Sequence, residues 1–173
     1  MPDWAIALLS LIVGQVTTYF IMRNIERQKW QQEKKEKLLE IKRDALAAAL
    51  EWIEPMRNAE IRASSMVMAA IHGDFDHEKF LEEFPYLLAE LIKKEIPAKQ
   101  RAVLPDRVYP SGHRIIRELD EVRFLGVKYG QEATIKGKPL AGFQECSDKL
   151  DMINRMIEEL ETDLRNEFQQ TYS

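Results

Sequence analysis

Phe143-Gln-Glu-Cys146-Ser-Asp-Lys-Leu150-Asp-Met-Ile153-Asn-Arg-Met-Ile157-Glu-Glu-Leu160-Glu-Thr-Asp-Leu164 carries the clearest periodicity in the chain. Its residues Phe143, Cys146, Leu150, Ile153, Ile157, Leu160 and Leu164 are spaced 3-4-3-4-3-4 without a miss. With about 3.6 residues per turn, that spacing lines up every large apolar side chain on one helix face. The other faces are rich in Glu, Asp, Asn and Arg. Such a seam belongs to a coiled coil or a bundle of long helices, because it must be covered by another helix. Cys146 lies on the seam and reads as a small buried apolar residue, not a nucleophile. It is the one cysteine of the chain. No intramolecular disulfide can form, which suits a reducing compartment.

Upstream, Lys136-Gly-Lys-Pro139 reads as a turn. A helix is expected from about Arg114 to Ala133, with Ile115, Ile116, Leu119, Val122, Phe124, Leu125 and Tyr129 as its apolar positions. Gly126 and Gly130 either weaken its second half or admit a close helix neighbour. Pro97, Pro105, Pro110 and Gly112 make 97–113 the least regular part of the chain. Ala98 to Val103 suits a short helical turn. Residues 104–113 read as a connection, either a plain crossover or a place where binding groups sit.

Before this, Phe80, Leu81, Phe84, Leu87, Leu88, Leu91 and Ile92 form the apolar face of another helix, ended by Ile96-Pro97. Pro85 either restarts or kinks it. Asp74 or Asp76 supplies its N-cap. The first amphipathic stripe is Leu38, Ile41, Ala45, Ala48 and Trp52, with Leu39, Leu46 and Ile53 beside it. A kink or break is expected near Glu54-Pro55. The pattern resumes with Met56, Ala59, Ile61, Ala63, Met66, Val67 and Ala70, and Gly73 stops it.

At the N-terminus, Trp4 to Met22 contains no charge and no proline over 19 residues. At about 1.5 Å per residue a helix of that length covers about 28 Å, near the thickness of a bilayer's hydrocarbon core. Met1-Pro2-Asp3 lacks the positive charge of a signal peptide, and no A-x-A-like site ends the run, so an uncleaved anchor is expected. Trp4 and Tyr19 suit interfacial positions. Ser10, Gly14 and Thr18 recur every four residues, a spacing that lets two membrane helices approach.

Charge is distributed unevenly. Residues 23–43 hold eight Lys/Arg and four acids (8 − 4 = +4), whereas residues 44–173 hold 17 basic and 24 acidic residues (17 − 24 = −7). Basic flanks remain cytoplasmic, which places the N-terminus outside and the remainder inside the cytoplasm. An acidic domain lacks the basic face that nucleic-acid binding needs.

The known chemical motifs fail one by one. His72-Gly-Asp-Phe-Asp-His77-Glu78 gathers metal-type donors, with His72, Asp74, Asp76 and His77 as candidate ligands. The same residues suit a capped helix connection. There is no H-E-x-x-H, and the residues three before His72, His77 and His113 are Ala69, Asp74 and Pro110, so no Glu-x-x-His exists. Gly137 and Gly142 have the glycine spacing of a phosphate loop, but Phe143-Gln144 stand where Lys-Ser/Thr is required. No catalytic, cofactor-binding or metal residue is assigned.

The expected architecture is all-α. A single N-terminal transmembrane helix (1–22) continues into a basic helical stalk (23–43), followed by an acidic antiparallel bundle of about four helices (44–173). The expected role is a membrane-anchored interaction or scaffold module with a protein partner or homo-oligomer, and with no nucleic acid or small-molecule ligand. Two alternatives stand beside it: a subunit assembled through the transmembrane helix, and a helical-bundle metal protein or enzyme.

Overall fold

The structure, a computed structural model, describes residues 3–73, 76–89, 95–136 and 142–172. The side chains of 3–10, 12, 77, 88, 136, 171 and 172 lie outside the description. Among the described residues helices are the only regular secondary structure, with no strand. Helix α1 spans Asp3–His72, α2 His77–Ala89, α3 Ala98–Arg101, α4 Val108–Lys136 and α5 Gly142–Tyr172. Two compact units are present, Met1–Ile41 and Lys42–Ser173.

The first unit is helix alone. Its described side chains are all exposed. Thr17 donates to the Val13 carbonyl at 2.7 Å and Thr18 to the Gly14 carbonyl at 2.8 Å, so both hydroxyls are satisfied within the helix. Among the described residues no helix is long and apolar enough to cross a membrane. Most of the first half of the expected span, together with Ser10 of the small-residue face, falls on side chains outside the description.

The second unit is a four-helix antiparallel bundle formed by the later part of α1 with α2, α4 and α5. Side-chain pairs set the directions. Arg57 of α1 meets Glu161 of α5 at 2.9 Å, and Met68 meets Ser147 at 4.0 Å, so the two helices run oppositely. Likewise Arg107 meets Asp163, and Lys149 meets Glu118 and Glu121, so α4 opposes α5. A Cβ on Gly126 or Gly130 of α4 would press on Phe84 or on Leu81 and Phe80 respectively, which fixes α2 against α4. All seven seam residues of α5 are buried, none above 3% exposed. Each such large aliphatic side chain contributes on the order of 1.5–3 kcal/mol when withdrawn from water. The ends follow local chemistry: Gly73 stops α1 with φ +87, and Asp76 caps α2 by accepting the Lys79 N–H at 3.1 Å.

Four expectations need correction. Of the kink or break expected at Pro55, the break is overturned: α1 is one helix from Asp3 to His72. Trp52 and Ile53 before the proline and Met56 and Ala59 after it are buried in one core, so packing on both sides holds the helix across the missing hydrogen bond. Helix α4 begins at Val108, not near Arg114. Pro110 falls in its first turn, where N–H groups have no helical acceptor to lose. Gly112 is the point where the Trp52 ring lies on the α4 backbone. Phe124 is 70% exposed, because the buried line of α4 passes through Val122, Gly126 and Gly130 instead. Finally, Leu38, Leu39, Ile41 and Ile61 are exposed; the core of α1 starts at Ala45. Pro85 lies inside α2, in the continuous alternative. Asp74, Leu91, Ile92 and the turn at 137–139 lie outside the described residues, as does the side chain of Leu88.

Candidate functional site

The residues singled out by sequence do not converge. His72 is exposed in the last turn of α1, Glu78 is exposed on α2, and Asp76 is engaged as a cap. Asp74 and the His77 side chain lie outside the description. Among the described residues no three His, Cys, Asp or Glu side chains are grouped to hold a metal ion.

Segment 104–113 is an aromatic clamp within the bundle, not an open loop. Tyr109 stacks on Trp52 of α1 with ring centroids 5.7 Å apart and planes 16° apart. His113 meets Tyr109 edge-on at 4.2 Å, and Arg101 of α3 lies 4.6 Å from the Tyr109 ring centre. These contacts tie the start of α4 to α1, a packing role. Cys146 is fully buried, and burial pushes its thiol up to about 12, which leaves it protonated and inert.

Sequence reading missed two features of α1. The first is Glu60, the one buried charged residue recorded among those described, 6% exposed. Ser64 donates to its carboxylate at 2.8 Å. Burial raises the carboxyl above its ordinary value; the Ser64 bond opposes the rise, Asp151 adds to it, Arg57 opposes it and Glu158 adds. A carboxyl so placed takes up a proton more readily than an exposed one.

The second is a groove of ≈ 1040 Å³ between α1 and α2. From α1 come Glu51, Glu54, Pro55, Asn58, Ala59 and Arg62; from α2 come Glu82, Glu83, Tyr86 and Leu87. The helical repeat produces this directly. Positions 51, 54/55, 58/59 and 62 fall on one side of α1, next to its buried line. Ala59 and the half-buried Pro55 and Leu87 give the groove an apolar floor, and all four glutamates are exposed above it. Tyr86 stands 73% exposed at its side. The groove offers carboxylates, an aromatic face and apolar ground. These groups can engage a ligand through charge, ring face and apolar contact. The only sequence signal for it is the acidic balance of residues 44–173 and the Glu82-Glu83 pair.

The chain matches no protein-family model, no curated protein and no solved structure.

Proposed function

We propose that the chain is a single-pass membrane protein that holds a helical interaction module at the inner face of a membrane. The observation that carries this reading is residues 4–22, 19 residues without charge or proline, continuous in one helix with a segment holding eight Lys/Arg. An uncharged helix of about 28 Å suits the bilayer core, and basic flanks stay on the cytoplasmic side. The N-terminus is therefore assigned outside and the bundle inside. The interaction role is supported by what the bundle presents: a groove lined by exposed carboxylates, an aromatic ring and an apolar floor.

Alkaline carbonate washing of membranes carrying the full chain tests the anchor. The protein should stay with the membrane pellet. Val13→Arg places a charge at mid-span, which costs about 2.5–3.5 kcal/mol on insertion scales. That variant should shift toward the wash. Release of the unsubstituted chain would overturn the proposal.

A further inference from the structure

We infer that the α1–α2 groove receives a cationic amphipathic helix of a partner protein. The inference rests on the reading of the bundle as an interaction module and names the surface and chemistry that such a module would use.

Charge comes first. Glu51, Glu54, Glu82 and Glu83 face a single Arg62, so the groove carries 1 − 4 = −3. Among the described residues none of these five takes part in an ion pair, whereas the acids between α4 and α5 and between α1 and α5 do: Glu118 and Glu121 with Lys149, Glu161 with Arg57, Asp163 with Arg107. The groove's carboxylates are thus open to an external cation. Their mutual repulsion falls when a cation lies between them.

Shape agrees with charge. From Glu51 to Arg62 the α1 wall advances 11 residues. That is about 16 Å, or about three turns of a docked helix. The apolar floor requires small or aliphatic side chains on one face of the occupant, and the acidic rim requires Lys or Arg on its flanks. Tyr86 offers a ring face to a guanidinium. Lys has three donors and Arg five, and neither has an acceptor, which matches the four carboxylates of the rim. Anionic lipid and nucleic acid are repelled by the same rim.

The test is photo-crosslinking with the full chain in its native membranes. A benzophenone amino acid replaces Tyr86 in the groove, or Phe124 on α4 as the control position. Position 86 should crosslink another protein within a Lys/Arg-rich helical segment. Adding Glu54→Lys/Glu83→Lys should cut the yield about tenfold, as should high salt, because steering by opposite charge is lost. Asp148→Lys/Glu159→Lys, placed on α5, should leave it unchanged. If the lysine pair disturbs the circular dichroism spectrum, Glu54→Gln/Glu83→Gln replaces it with the same expected direction. Crosslinks from position 86 to a neutral or acidic segment, to a second copy of this chain, or with a yield indifferent to the reversal, would overturn the inference. A partner captured from 124 but not from 86 would overturn it while leaving the interaction-module reading intact. No heterologous partner from either position would overturn both.

Discussion

Single atoms decide several features of the bundle. At Gly112 the Trp52 ring occupies the space of a Cβ, and that ring is itself stacked on Tyr109. Gly112→Ala must move the ring or the helix. It should destabilise the protein by about 1–3 kcal/mol, the usual cost of overpacking, measured by chemical denaturation of the full chain in detergent. A neutral result would mean that Trp52 has an alternative position. Glu60 gives a pH dependence of known sign. Its carboxyl is raised from 4.5 chiefly by burial, so the folded chain keeps a proton that the unfolded chain releases. Its contribution is complete below about pH 4.5 and is lost as pH rises through the folded value. Glu60→Gln removes that loss and keeps an acceptor for Ser64. From about pH 4 to pH 7 the variant should gain stability relative to the unsubstituted chain; parallel profiles would contradict the protonated buried state.

At the level of elements, the seam of α5 and the stripe of α1 illustrate what a period can and cannot reveal. Ile153 is fully buried, so Ile153→Ala should cost about 2–5 kcal/mol, whereas Ile61, exposed on α1, should tolerate alanine within about 0.5 kcal/mol. Similar losses at both positions, in the same denaturation assay, would contradict the packing described. The α5 seam was legible because each turn offers one large apolar side chain against charged neighbours. The α1 stripe was legible in phase but not in extent: Leu38 and Ile41 share the pattern with Ala45, yet the core begins only at Ala45. Periodicity marks the face a helix could bury, and only the neighbouring helices decide how far along it is covered. On α4, Pro110 and Gly112 read as breakers and concealed the first turn. The buried line then passed through Gly126 and Gly130, so Phe124 was assigned to a core that leaves it exposed. The groove left only its acidic balance in the sequence, not its position. Glu51 and Glu54 look like a solvated helix face until Glu82 and Glu83, some thirty positions later, are brought opposite them.

For the whole molecule, the asymmetry of charge and apolarity organises everything else: an uncharged N-terminal helix segment, a basic stretch, and an acidic bundle. That order was readable from composition alone, since each segment differs in residue type and not merely in phase. The bundle and its helix directions follow from the structure, while the tether is the reading that connects them to a location. The most direct measurement is thiol accessibility in sealed cells, using a membrane-impermeant maleimide on two single substitutions of the full chain, Asp3→Cys and Glu159→Cys. Cys146 supplies almost no background, because it is buried and its thiol is pushed up to about 12. A tethered bundle on the cytoplasmic side predicts labelling at position 3 in intact cells and at position 159 only after permeabilisation. Labelling at 159 in intact cells, or at neither position until the cells are opened, would contradict the topology.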